Sequence, residues 1–236
     1  MPRSPVRRSA SAALGAALVA LGGAACRHAA PPPPADWSPL VGAVRSFSGL
    51  YRASCCGGRR FNAAVRADGE RLFVSISVRP RGAVFEAWFA PDGAWAAEAP
   101  WSCRWPLESG RLPLGDDATL PLDAAVLSVL LAGRLPEGTL AVEGSPGWVT
   151  APAGSGWLRA RVAGTPARLE RVEAGQAGMA AEVSAVLGEH HGTVPGTIAV
   201  EAAGERLRLE LVEWRPGSQA VPEPAWLAAP ACAEGS

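Results

Sequence analysis

The chain has 236 residues, a formal net charge of zero, 48% hydrophobic residues, 27 glycines and 22 prolines. Lysine is absent, which excludes Schiff-base and Ser–Lys chemistry, and the balanced charge offers no basic face to nucleic acid. Abundant Gly and Pro beside near-half hydrophobic content fits many short strands and turns rather than disorder.

Residues Ala12 to Ala25 form an apolar run made largely of Ala and Gly, shorter than the roughly 20 residues a membrane-spanning helix requires. Arg3, Arg7 and Arg8 precede it without an acid, and it closes on Gly22 to Ala25, the pattern of a cleaved secretory signal. The stretch "GGAAC" resembles the lipobox of bacterial lipoproteins, with Gly23 where that motif usually carries Leu. The resemblance implies cleavage before Cys26 and acylation of its thiol; plain secretion after cleavage at Ala25 is the alternative. Pro31 to Pro34 reads as an extended tether, and Arg27 after the cysteine, in place of Asp, implies sorting to the outer membrane. The expected organisation is a signal peptide over 1–25, a lipidated Cys26 with Pro-rich tether over 26–36, and one domain over 37–236. A domain of about 200 residues buries roughly 70% of its unfolded-chain surface.

From Phe47 the pattern has period two. "FSGLYRA", "RRFNAAVRA", "ERLFVSISVRP", "AVFEAWFAPDG" and "AWAAEA" alternate between turns such as Asp68-Gly69 and Asp92-Gly93, predicting a meander of about five antiparallel strands. Pro121 then opens a denser Ala/Leu/Val stretch that stops at Gly133 and Pro136, predicting an amphipathic helix from about Leu122 to Ala132. Strands are expected again at "TLAVEG", "GWLRARVAG", "ARLERVEAG", "MAAEVSAVL" and "GTIAVEAAGERLRLELVEW", the last a hairpin turning at Ala203-Gly204. The tail from Arg215 reads as irregular, with Trp226 and Leu227 packed back onto the sheet.

Four stretches carry a resemblance over most of residues 47 to 214. "FSGLYRA", "ERLFVSISVRPRGAVFEAWF", "LPLDAAVLSVLLAGRLP" and "GTVPGTIAVEAAGERLRLELVEW" resemble in order the first strand, the strand with X-Pro-X-Gly loop and next strand, the helix with its Leu-Gly-x-Pro turn, and the closing hairpin of the LolA/LolB family. The resemblance implies a mainly β fold: a strongly curved, open antiparallel sheet, or half-barrel, covered on its concave face by short helices around an apolar cavity for acyl chains. In LolB the X-Pro-X-Gly loop carries an exposed Leu thought to enter the membrane. Here that position is Arg81, flanked by Arg79; a double-Arg tip enters hydrocarbon at high cost and is expected to meet anionic headgroups or water. A strand pair between Val162 and Thr193 is a further departure from LolB.

Strand parity places Leu72, Val74, Ile76 and Val78 on the cavity side, with Val84 and Trp88 of the next strand and Leu207, Leu209 and Leu211 of the last. Leu130 faces them from the helix. Trp95, Trp101, Trp105, Trp148, Trp157 and Trp214 either line the cavity with Trp88 or fill the core. Four cysteines remain besides Cys26: Cys55, Cys56, Cys103 and Cys232. In an exported chain they form disulfides, and a vicinal Cys55–Cys56 bridge being strained, each of that pair is expected to bond one of the distant two. No metal set, nucleophile elbow or phosphate loop is present in the sequence, and His190 and His191 read as loop histidines. The expected function is non-enzymatic and without cofactor. The chain is read as an outer-membrane lipoprotein on the periplasmic face, a monomer, binding acyl chains of lipoproteins or lipids and assisting their delivery alongside a LolA-like periplasmic carrier. Sensing or scaffolding on the same fold without transfer is the first alternative, an envelope hydrolase with dispersed residues the second.

Overall fold

The computed structural model describes residues 36–42, 46–55, 58–69, 71–107, 112–113, 119–120, 124–153, 156–202, 204–217 and 220–232. The segment expected to be a signal peptide, Cys26, the proline run and Cys56 lie outside them.

The alternating segments form β1 (Phe47–Cys55), β2 (Arg59–Ala67), β3 (Leu72–Val78), β4 (Gly82–Ala90) and β5 (Gly93–Glu98), each antiparallel to the next. This is the expected meander. A short β6 (Trp105–Pro106) extends its edge, and β7 (Leu112–Pro113) pairs with β8 (Thr119–Leu120) as a separate ribbon. After α1 (Ala124–Ala132) come β9 (Leu140–Ala141), β10 (Trp148–Ala153), β11 (Gly156–Ala163), β12 (Arg168–Gln176), β13 (Val183–Gly188), β14 (Thr197–Ala202) and β15 (Glu205–Pro216). β12 and β13 are the strand pair expected between Val162 and Thr193.

The main sheet runs β6-β5-β4-β3-β2-β1-β15-β14-β13-β12-β11-β10-β9. The chain therefore leaves the sheet at one edge and re-enters at the other. Such a connection must cross a face of the sheet, and α1 lies within it. Val126, Leu127, Val129, Leu130, Leu131 and Ala132 of α1 are buried in one cluster with Tyr51, Leu72, Val74, Leu158, Ile198 and Leu207. The helix is thus apolar around its circumference, where an amphipathic cover was expected; a helix of that kind sits inside a core rather than upon it. Tyr51, 1% exposed, donates from its hydroxyl to the Leu131 carbonyl at 3.4 Å, and burial raises the pKa of its phenol.

Gly133 ends the helix at φ 63°, its N–H donating to the Val129 carbonyl at 3.0 Å. A Cβ there would stand 1.9 Å from the carbonyl oxygen of Thr193, so the position needs glycine for space as well as for its dihedral. β10 has no counterpart in the sequence reading, because Pro152 interrupts its pattern. The strand tolerates that proline since β9 pairs only with Val149 and Thr150, leaving the N side of residue 152 without a ladder partner to lose.

Along β11 and β12 the outward side is wet. Glu173, buried, accepts from Arg159 Nε at 2.5 Å and pairs with Arg171 Nε at 3.0 Å. The Arg159 guanidinium lies 5.0 Å from the centroid of Trp148 and 5.9 Å from that of Trp157. Trp148 and Trp157 therefore belong to this outer ladder and not to a cavity lining.

Candidate functional site

The two faces of the meander carry different side chains, and the pairing register sorts them. Leu72 opposes Phe89, Val74 opposes Ala87 and Ile76 opposes Phe85, whereas Phe73 opposes Trp88 and Ser75 opposes Glu86. On the helix side, Leu72, Val74, Leu130 and Leu207 are buried in the main cluster, and Ile76, Val84, Leu209 and Leu211 are half-buried against it. Val78 is half-buried at the end of β3. Val84 falls at the bulge where β3 and β4 lose register between Ile76 and Ser77, and that extra residue turns it toward the core despite its parity.

Leu211 pairs with Tyr51 across β1, Leu209 with Ala53 and Leu207 with Cys55. The predicted set is thereby brought onto one face, with a single correction. Trp88 lies on the other face, in a second cluster with Ala97, Val221 and Trp226, because the β4 bulge reverses parity between Val84 and Trp88. Trp95 and Trp101 pack against that second cluster too, while Trp105 and Trp214 pack on the main one. Trp214 stacks on Phe47 with centroids 4.3 Å apart.

Ile76, Val78, Val84 and Phe61 are all half-buried near the turn holding Arg79 and Arg81, both exposed. Among the described residues neither arginine has an ion pair. By contrast Arg161, Arg206, Arg208 and Arg215 pair with Glu170, Glu201, Glu210 and Glu213.

The outer face of β3–β5 is covered by the chain's C-terminal tail, a strap packed on the sheet through Trp226 and Leu227 as expected. The Val221 N–H donates to Asp68 Oδ2 at 3.2 Å, and Trp226 Nε1 donates to Glu86 Oε2 at 2.6 Å. Its end is fixed by a disulfide between Cys103 and Cys232. This corrects the expected pairing: the two distant cysteines bond each other, so neither bridges to Cys55 or Cys56. The strap brings them together by lying back across β5, a contact no spacing in the sequence encodes.

His190, half-buried, donates from Nε2 to the Leu169 carbonyl at 2.8 Å; burial lowers its pKa against the opposing effect of that bond. Among the described residues no group of three or more His, Cys, Asp or Glu side chains is placed to hold a metal ion, and no helix is long and apolar enough to cross a membrane.

No protein-family model matches the chain, and no curated protein matches it in sequence. Solved structures do match the fold. A LolA superfamily protein from Nitrosomonas europaea superposes with a TM-score of 0.52 at 13% identity, covering 78% of this chain and 91% of that one. An outer membrane lipoprotein-sorting protein domain from Vibrio parahaemolyticus gives 0.51 at 10% identity, covering 80% and 92%. The fold is LolA/LolB-like. Within a LolA/LolB-like frame, the open antiparallel sheet with its helix on one face is the architecture expected from the sequence.

Proposed function

We propose that the protein is a lipid-anchored, non-enzymatic envelope lipoprotein that binds acyl chains of lipoproteins or lipids between the sheet and α1 and assists their delivery to the outer membrane. Cys26 carries the anchor and Pro31–Pro34 holds the domain off the bilayer. Arg79 and Arg81 meet the anionic headgroups, and a LolA-like periplasmic carrier supplies the cargo. The observation behind this reading is the half-buried apolar set Ile76, Val84, Leu209 and Leu211 on the helix-side face, in a fold whose solved neighbours include a lipoprotein-sorting domain. Apolar side chains left partly open beside a packed core gain dispersion contacts from an acyl chain that water does not provide.

Displacement of a fluorescent fatty-acyl probe, measured with a melting curve, tests the reading. In the wild type an acyl chain displaces the probe and raises the melting temperature. In Ile76→Trp the added bulk fills the space, and probe binding weakens while the fold persists. Absence of probe binding in the wild type, with a lowered melting temperature in the variant, refutes acyl-chain binding, because overpacking a closed core costs about 1–3 kcal/mol.

A further inference from the structure

The strap does not lie flat on the outer face. Between it and β2–β4 a cleft of about 720 Å³ remains, lined by Phe73, Trp101 and Trp226, by the carboxylates of Glu86 and Glu223, and by Arg66. This volume falls in the range of small-ligand clefts, about 300–1,000 Å³. The cleft sits on the face of the sheet opposite α1, so it is separate from the acyl-chain reading.

Three features of the cleft point to one chemistry. Glu86 is half-buried, yet it is held only by neutral donors: Ser75 Oγ to Oε1 at 3.2 Å and Trp226 Nε1 to Oε2 at 2.6 Å. Among the described residues it has no cationic partner. Phe73, Trp101 and Trp226 line the same cleft, and aromatic faces attract an organic cation through the ring quadrupole. Trp101 holds φ 65°, rare for a bulky side chain and kept only where the surroundings over-determine it; residues held in this way cluster at ligand clamps.

On the other side of Phe73 stands Arg66, its register partner across β2 and β3, exposed and without an ion pair among the described residues. Read across the strands, the cleft offers a guanidinium, an aromatic floor and a carboxylate. That sequence of groups complements a molecule with a phosphate at one end and an ammonium at the other.

We propose that the cleft between the C-terminal strap and the outer face of β2–β4 binds a phosphoammonium group, its cation among Phe73, Trp101 and Trp226 against Glu86 and its phosphate on Arg66. Such a group occurs both on zwitterionic lipid headgroups and on small soluble metabolites.

Isothermal titration of the full mature protein with phosphocholine tests the site, with the indole N–H resonances of Trp101 and Trp226 followed by NMR. Saturable binding that shifts both resonances is expected. Glu86→Gln keeps an oxygen to accept from Trp226, so the strap stays in place, yet it should lose affinity about tenfold, the order expected of a removed charge partner beside a cation–π site. Arg66→Gln should weaken phosphocholine and leave tetramethylammonium binding unchanged, which separates loss of the phosphate contact from loss of fold. No heat and no indole shift with either probe, or equal phosphocholine affinity in wild type and Glu86→Gln, overturns the proposal. Sedimentation with phosphatidylcholine vesicles then assigns the source: co-sedimentation that soluble phosphocholine abolishes identifies a lipid headgroup, and soluble binding without co-sedimentation identifies a free molecule. Either vesicle outcome stands on a site already shown by titration, and neither depends on acyl-chain binding at Ile76.

Discussion

The β11–β14 half of the sheet and the β3–β5 half solve burial differently. In the first, inward residues such as Leu158, Val172, Val183, Ala185 and Ile198 are fully buried, while outward ones such as Arg161, Glu170 and Glu201 meet water. In the second both faces are covered, and Ala87, Trp88 and Phe89 are consecutive buried residues. A strand with one wet face reads as a clean alternation. A strand with two dry faces has no polar beat to mark its parity. The meander therefore depends on two covers of different origin, a helix delivered by the crossover and a strap fastened by a disulfide.

Removing part of the first cover should have the largest effect. Leu130→Ala takes a side chain only 2% exposed out of the core shared by both halves, and should cost about 2–5 kcal/mol in denaturant unfolding. A loss confined to one half, seen as two separate transitions, would break the picture of one shared core. The second cover is tested by Cys232→Ser, which opens a covalent loop with a sequence separation of 129 and should cost about 2–4 kcal/mol. The change should raise amide exchange in β3–β5 before β11–β14; unchanged stability would reduce the strap to decoration.

Trp226→Phe keeps the ring and deletes the N–H that reaches Glu86. It should cost about 1.5–3 kcal/mol, the size of a hydrogen bond to a charged acceptor, and thermal unfolding measures it. On the wet half, Glu201→Gln breaks an exposed pair with Arg206 at 2.9 Å and should change stability by less than about 0.5 kcal/mol; a larger cost would mean that this half too relies on its outer face.

The smallest effect concerns pH. Burial lowers the pKa of His190, so between its folded value and the unfolded value of about 6.5 the unfolded chain binds the extra proton. The stability that goes with the neutral ring is present above the unfolded value and is lost as pH falls from there toward the folded one. The melting temperature should accordingly drop more between pH 7 and pH 5 in wild type than in His190→Gln, and equal drops would remove His190 from the account.

Much of this was legible in the sequence for stated reasons. The meander and the closing hairpin announce themselves because period two and Gly turns are local signals, and the helix announces its end because Gly133 is required there. The side chains of β3 and β15 proposed to face the ligand follow from parity alone. Trp88 does not, since a one-residue bulge between β3 and β4 reverses the phase and nothing local marks it. The Cys103–Cys232 bond and the cleft around Glu86 depend on where residues 220–232 land, a tertiary fact set by Trp226 finding Glu86 and Val221 finding Asp68. Pro152 hid β10 for a similar reason: its tolerance rests on how short β9 is, which is a property of the partner strand.

The strand order also has a consequence in time. β1 sits at the centre of the sheet between β2 and β15, so the first of the described strands takes its second neighbour from the last of them. A chain emerging N-terminus first would carry β1 with an unpaired edge through the whole delivery of β9 to β14, and the strap would arrive later still. Closure over so long a stretch is slow, and an open edge in that interval is a template for pairing with other chains. For this topology the hazard is set by the schedule of synthesis more than by final stability, and a chain cut short of β15 should aggregate even though every strand of its meander is intact.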